Sequence, residues 1–241
     1  MSYLSALRPA RLIMSSQTFA GLRTNQSNIK YRNVQSGVMD MGDYWTLALD
    51  VFFVILIMCI FTFALSKTGY LKSETDGKLD KRNCAVLILV FGLLAIMATN
   101  YFALVYVNGL KIHMRDFVAL AAGLVGGPVV GLGAGLIGGL DRYLLGGVTA
   151  IPCGVGTVLS GLIGGAVWYF GGKRYPKIWI AAVTMIAAES LHILLAYFFS
   201  DPVPAGQEIV PTVALPLLIV NTVGIIAFSW VYRRYMDDNE D

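Results

Sequence analysis

The chain of 241 residues is 56% hydrophobic and only 14% charged, whereas soluble domains carry roughly 25% charged residues. Its net charge of +3 is small, and its lysines and arginines lie in short segments between apolar runs, so the sequence offers no nucleic-acid-binding face. Low charge and long apolar runs predict an integral membrane protein whose first partner is the lipid bilayer.

Residues 1–40 form a polar, serine-rich arm in which all the basic residues precede the first acidic one, Asp40. Such a composition is also that of organellar transit peptides, and the arm lacks the apolar stretch of a secretory signal. We interpret it as a flexible N-terminal arm.

Five apolar segments are long enough to cross a bilayer. They are residues 45–66, 84–107, 152–170, 178–199 and 211–232. The four tryptophans lie near the ends of these segments, where membrane-interface anchors are expected. A short acidic tail follows at 237–241.

The central run, residues 115–145, is apolar but too long for one upright span, because a straight helix of this length would measure about 45 Å. Pro128 follows Gly126 and Gly127 and interrupts the helix. We therefore predict two pieces, 116–126 and 128–145, folded back on each other. Glycines spaced by four, at 123, 127, 131, 135 and 139, let the pieces pack closely. The predicted fold is an all-α polytopic membrane helix bundle with five full spans and one Gly-Gly-Pro-broken helical hairpin, and such a hairpin is tolerated only when it is buried in protein.

Loop charge predicts the orientation of this bundle. With the fold-back, one side collects ten basic residues: Lys67, Lys72, Lys78, Lys81, Arg82, Lys173, Arg174, Lys177, Arg233 and Arg234. The other side carries an acidic loop with Asp201 and Glu208. The positive-inside rule then places the C-terminus in the cytoplasm and the N-terminus outside.

Two turns bring candidate ligand-binding residues together. Arg115 and Arg142 are nearly equidistant from Pro128, and Arg142 and Cys153 are nearly equidistant from the Gly146–Gly147 turn. Two guanidinium groups beside a small cavity match a carboxylate. Thr149, Gly156 and Thr157 also lie nearby in the sequence. The alternative is that each arginine pairs with its neighbour, Asp116 or Asp141, or extends to the interface.

Other polar residues within the spans, including Asp116 and Asp141, are assigned a supporting role. Glu189 and His192 stand three apart on one helix face, as a polar relay or as a mutually satisfied pair. Asn221 predicts an interhelical hydrogen bond. The sequence shows no nucleophile–base pair and no metal-ligand motif, so we expect no catalytic residue, no metal site and no cofactor.

The run RDFVALAAGLVGGPVVGLGAGLIGGLDRYLLGGVTAIPCGVG, with AAESLHILL and LPLLIVNTVG after it, resembles the LytS/YhcK-type five-transmembrane receptor domain (5TMR-LYT). The resemblance covers about residues 41–235, and we assign the sensor domain to 41–236. It implies a bacterial inner-membrane sensor, expected as a homodimer, coupled to a histidine kinase or diguanylate cyclase in cell-wall regulation or pyruvate sensing. In pyruvate-sensing relatives the pocket has two arginines, a cysteine and a serine. Arg115, Arg142 and Cys153 match the first three, whereas Gly156 replaces the serine beside Thr157.

The function expected from these features is a membrane receptor that binds a small extracellular carboxylate and signals to a cytoplasmic output module, which would supply the enzymatic activity. No output domain follows Asp241 in this sequence, so a truncated sensor or a separate partner is expected. The alternative is the substrate-binding membrane subunit of a small-molecule uptake transporter, because the domain also resembles the substrate-binding subunits of vitamin transporters.

Overall fold

The computed structural model describes residues 80–100 and 113–237 without a break, together with 45, 49, 52–58, 60, 106–107 and 110–111. The predicted arm at 1–40 and the end of the first predicted span lie outside the described residues. The described residues between 45 and 60 are helical. Val54 and Met58 among them are buried in the core, whereas Trp45 and Phe52 are exposed.

Five long helices follow in chain order: α1 (Lys81–Asn100), α2 (Arg115–Leu144), α3 (Ala150–Phe170), α4 (Ile178–Phe199) and α5 (Val203–Asp237). Within the described part of the chain, all five are long and apolar enough to cross a membrane. Their outward faces carry exposed leucine, valine, isoleucine and aromatic side chains, as a surface that meets lipid requires. The all-α membrane bundle predicted from the sequence is confirmed.

The second predicted span, 84–107, is wrong at its end, because residues 106–107 form a strand, whereas α1 is described as far as Asn100. The Asn100 Nδ2 donates hydrogen bonds to Ile96 O (3.1 Å) and to the carboxylate of Asp141. Beyond it, β1 (Tyr106–Val107) pairs antiparallel with β2 (Leu110–Lys111). The sequence between these strands is Asn-Gly, which is typical of a two-residue hairpin turn.

The last predicted span is wrong at its start, because α5 begins at Val203 and contains both Pro211 and Pro216. Proline is tolerated inside a membrane helix when other groups satisfy the freed backbone atoms. The Thr212 hydroxyl donates to the carbonyl of Ile209 at 2.6 Å beside the first proline. The helix also extends to residue 237, while the rest of the predicted acidic tail lies outside the described residues.

α2 is broken at Gly127, whose φ of 79° and ψ of −172° are not helical. A Cβ added to Gly131 would lie 2.8 Å from the Cα of Gly123, although eight residues of straight helix span about 12 Å. The two halves of α2 therefore lie side by side. We call them the first arm (residues 115–126) and the second arm (residues 128–144).

The contacts of the two arms fix the direction of their neighbours. The first arm runs parallel to α3, since Arg115 touches Thr157 and Leu120 touches Gly164. The second arm runs antiparallel to α3, from the neighbourhood of Gly165 to that of Gly154, and parallel to α1. Consequently α1 and α3 cross the bundle in opposite directions, and the broken helix adds no net crossing.

The bundle therefore has two chemically different ends. The basic end carries the cationic residues Lys81, Arg82, Lys173, Arg174, Lys177, Arg233 and Arg234. There the Tyr175 hydroxyl lies 2.7 Å from the Ser229 hydroxyl, and Arg233 Nη1 donates to the carbonyl of Pro176. The opposite end, which we call the cavity end, is formed by the end of α1, the α2–α3 turn and the α4–α5 junction.

Candidate functional site

A buried polar cluster lies where the first arm meets α3. The Arg115 Nε donates a 2.7 Å hydrogen bond to the Thr157 hydroxyl, which in turn donates to Asp116 Oδ1. Arg115, Asp116 and Thr157 are each at most 1% exposed. Arg115 Nε also lies 3.7 Å from Asp116 Oδ1, so this carboxylate offsets part of the buried arginine's charge. Its Nη1 and Nη2 atoms have no hydrogen-bond partner among the described residues.

α4 adds an acid and an imidazole to this cluster. His192 Nδ1 lies 2.7 Å from Asp116 Oδ2 and 3.4 Å from Glu189 Oε1. The pair predicted on the face of α4 is therefore formed, but its histidine lies closer to a carboxylate of another helix. The three side chains offer ligand atoms within 4.8 Å of one another, an arrangement that suits a divalent cation or a shared proton. The adjacent guanidinium of Arg115 opposes any added positive charge.

Arg142, near the end of the second arm, is held by the α2–α3 turn. Its Nη1 donates to the carbonyl of Gly146 at 2.6 Å, and its Nη2 donates to the Thr149 hydroxyl at 2.8 Å. The Nε of Arg142 has no hydrogen-bond partner in the described part of the protein. None of the ion pairs among the described residues involves this arginine. A buried cation without an anionic partner attracts an anion.

Arg142 faces a cavity of about 290 Å³ at the cavity end of the bundle. The polar part of its wall consists of Thr99, His113, Arg142, Thr149, Cys153 and His192. His192 thus belongs both to the cavity wall and to the buried cluster, and it is the side chain that connects the two. The cavity wall therefore contains a cation, Arg142, that suits an anion. Through His192 the cavity also contacts the buried charges of the cluster.

The structure divides the predicted binding residues between cavity and cluster. Arg142 and Cys153 line the cavity together, whereas Arg115 and Thr157 are engaged with Asp116 in the cluster. Gly156 also lies outside the cavity wall. A Cβ at Gly156 would lie 2.7 Å from His192 Cδ2, so the missing side chain is what allows the imidazole to approach α3.

Two predicted supporting residues connect helices. Asp141 accepts hydrogen bonds from Asn100 of α1 at the cavity end. Asn221 of α5 accepts a 3.3 Å hydrogen bond from the backbone N–H of Phe117 and donates to Leu217 O. The expected interhelical bond of Asn221 is therefore present, and it satisfies one of the free N–H groups in the first turn of α2.

Sequence reasoning missed two polar residues of the cavity wall, Thr99 and His113. His113 stands two positions before Arg115, and a polar residue just before a charged membrane helix was the available signal. Burial, followed by the positive charge of Arg115, holds the pKa of His113 well below its ordinary value. A neutral imidazole can donate one hydrogen bond to a ligand without adding charge.

Long apolar helices around buried charges, with a partly polar cavity at one end, are the features of a multi-pass membrane protein. The family model described as 5TMR of 5TMR-LYT matches residues 68–234. The chain belongs to the 5TMR-LYT family, and it carries the membrane sensor domain found in LytS and BtsS sensor proteins.

Curated relatives include the sensor protein LytS of Bacillus cereus, which is 33% identical over 63% of this chain and 27% of its own length. The sensor histidine kinase BtsS of Escherichia coli is 33% identical over 58% of this chain and 26% of its own. Sensor protein LytS of Bacillus subtilis is 30% identical over 76% of this chain and 34% of its own. The matched region is thus about a quarter to a third of each relative. No solved structure matches the chain.

Proposed function

We propose that this protein is a membrane receptor that binds a small carboxylate such as pyruvate in the cavity and passes the signal to a cytoplasmic output module. The observation that carries the proposal is Arg142, a buried cation in the cavity wall whose Nε lacks a partner among the described residues. A carboxylate can accept from this nitrogen and balance its charge.

The remaining polar wall suits the same ligand. The Thr149 hydroxyl, already bonded to Arg142, and the thiol of Cys153 both border the cavity. The neutral imidazole of His113, which also lines the cavity, adds a hydrogen-bond donor. Arg115 would not bind the ligand directly, because it lies in the buried cluster, where its charge is paired with Asp116.

The receptor would signal through α5. Val213 and Leu217 of this helix line the cavity, and Asn221, one turn beyond Leu217, is bonded to the start of α2. A ligand held by Arg142 of α2 and in contact with α5 favours one relative position of the two helices. Such differential binding is what shifts a population between two states. The far end of α5 reaches the basic end, where an output module would attach.

The charges support an orientation for this receptor. Basic segments of membrane proteins remain in the cytoplasm, so the basic end would face the cytoplasm and the cavity would open to the outside. The output module would be of the two-component or cyclic-di-GMP type, and the receptor would work as a homodimer. The sensor histidine kinase among the relatives favours a kinase.

Calorimetric titration of pyruvate into the purified protein in lipid nanodiscs tests the proposal. We expect saturable binding that becomes at least about tenfold weaker in Arg142→Ala, because a charge-assisted hydrogen bond contributes roughly 1.5–3 kcal/mol. Arg174→Ala removes an exposed arginine at the basic end and is the matched control. Equal affinity of the wild type and Arg142→Ala contradicts the site.

A further inference from the structure

The wall of the cavity is polar only in part. Apart from His192, its lining from α4 and α5 is apolar: Ile193, Ala196, Ile209, Val210, Val213 and Leu217. An apolar wall gains nothing from a carboxylate, but it stabilises hydrocarbon removed from water. The polar and apolar parts of the wall thus present different chemistry to the two ends of one ligand.

The cavity is also larger than the smallest carboxylates need. A cavity of about 150 Å³ accommodates benzene, so the volume of about 290 Å³ corresponds to about twelve non-hydrogen atoms at the same packing. Pyruvate has roughly half that number of atoms and would leave the apolar half unfilled. Unfilled apolar space forfeits contacts that a longer ligand would make.

We propose that the ligands of this receptor are monocarboxylates with an apolar tail, such as branched or aromatic 2-oxo acids. The carboxylate binds at Arg142 and the tail lies between Ala196 of α4 and Val213 of α5. This inference rests on the proposed function, since it assumes that Arg142 binds a carboxylate. It adds that the rest of the ligand is an apolar tail.

The ligand class predicts a graded affinity. Each methylene transferred from water to the apolar wall is expected to strengthen binding roughly fourfold. We therefore expect 4-methyl-2-oxopentanoate to bind at least about tenfold more tightly than pyruvate, and phenylpyruvate to bind more tightly than pyruvate as well. Burial of the tail should also make the heat-capacity change of binding more negative along the series.

Calorimetry in lipid nanodiscs with acetate, pyruvate, 4-methyl-2-oxopentanoate and phenylpyruvate tests the graded affinity. Ala196→Leu fills the apolar part of the cavity, so it should weaken binding of the two longer acids at least about tenfold and weaken pyruvate binding much less. Val213→Phe fills the same space from α5 and provides a second, independent variant. Val183→Leu enlarges an exposed side chain of α4. It is the control and should change neither the affinity for pyruvate nor that for the longer acids.

The outcomes separate the inference from the proposed function. If pyruvate binds in an Arg142-dependent manner but the longer acids bind no better, the tail site is wrong and the carboxylate receptor stands. Longer acids that bind equally well to wild type, Ala196→Leu and Val213→Phe would also overturn the tail site. If no acid binds, or if Arg142→Ala binds as the wild type does, both proposals fail.

Discussion

Gly156 determines how closely the imidazole of His192 approaches α3. A side chain at this position would begin 2.7 Å from His192 Cδ2 and 3.0 Å from its Cβ, so the ring would have to move. Because His192 touches both Asp116 and the cavity, its displacement disturbs the buried cluster and the ligand wall together. Gly156 thus affects the cavity through His192.

The first prediction concerns Gly156→Ser. We expect it to destabilise the protein by about 1–3 kcal/mol through overpacking and to weaken carboxylate binding. Thermal unfolding and calorimetry in nanodiscs measure both effects. In a His192→Ala background the loss of stability should be much smaller, because the two residues interact directly. An equal loss in both backgrounds would show that the clash with His192 is not the cause.

The second prediction concerns Thr157, whose hydroxyl is hydrogen-bonded to both Arg115 and Asp116. Thr157→Val keeps the shape but leaves Arg115 Nε and Asp116 Oδ1 without this partner, so we expect a loss of about 2 kcal/mol in the free energy of unfolding. Thr157→Ser retains the hydroxyl and should lose less than about 1 kcal/mol. Reversible unfolding in mixed micelles measures both; similar losses for Val and Ser would contradict this role.

The sequence predicts that two site residues lie close together only where a turn between them brings them together. The near-equal spacing of Arg142 and Cys153 about the Gly146–Gly147 turn was sufficient to put both in one cavity wall. Arg115 was expected to contact the ligand as well, but its Nε is taken by Thr157 from the adjacent α3. The contact of His192 with Asp116 depends on how α4 packs against α2, which no local pattern encodes.

At the scale of the helix, α2 depends on glycines that admit backbone contact. A Cβ at Gly131 would meet Gly161 O at a distance no atom tolerates, and it would also meet the Cα of Gly123. These obstacles are backbone atoms of α3 and of the first arm, and neither can rotate away. The spacing of four along the sequence therefore serves two neighbours at once, the other arm and α3.

The third prediction compares two glycines of the second arm. Gly131→Ala should cost at least about 3 kcal/mol or abolish folding, since the backbone cannot yield. A Cβ at Gly133 would meet only side-chain atoms of Ile88, the nearest at 2.7 Å. Gly133→Ala should therefore cost clearly less than Gly131→Ala, because a side chain can shift where a backbone cannot and the helix propensity improves by about 1 kcal/mol. The yield of folded protein in detergent and the melting temperature of the two variants measure this difference. A larger loss for Gly133→Ala than for Gly131→Ala would contradict the packing argument.

Helix ends were harder to predict than the broken hairpin. Pro128 after two glycines forces a break by its own covalent structure, so the position of the break could be read directly. The strand at Tyr106–Val107 depends instead on its pairing with Leu110–Lys111. The start of α5 ahead of Pro211 depends on how the bundle satisfies freed carbonyls. Hydropathy alone predicts neither feature.

At the scale of the whole molecule, charge separates the two ends of the bundle. The basic residues of α1, of the α3–α4 connection and of α5 meet at one end because α2 folds back and adds no net crossing. A straight α2 would have sent α3 the other way and dispersed these charges over both faces. The sequence therefore predicts the polarity of the bundle only after the break at Pro128 is recognised.

The fourth prediction concerns orientation. Single cysteines are introduced at two exposed positions, Arg174→Cys at the basic end and Asp201→Cys at the cavity end, and are treated in intact cells with a membrane-impermeant maleimide. We expect labelling at 201 and protection at 174 until the membrane is permeabilised, as the positive-inside rule requires. The parent protein, with its native thiols, gives the background. Labelling at 174 in intact cells would reverse the proposed topology.

The fold-back at Gly127 also has a consequence for biosynthesis. The glycine contacts that hold the two arms, at Gly161 and Gly165, belong to α3, which leaves the ribosome later. Until α3 arrives, Arg115 and Asp116 lack the hydroxyl of Thr157 that partners both. Co-translational insertion of this region is therefore expected as one concerted event spanning both arms and α3, rather than as a succession of independently delivered helices.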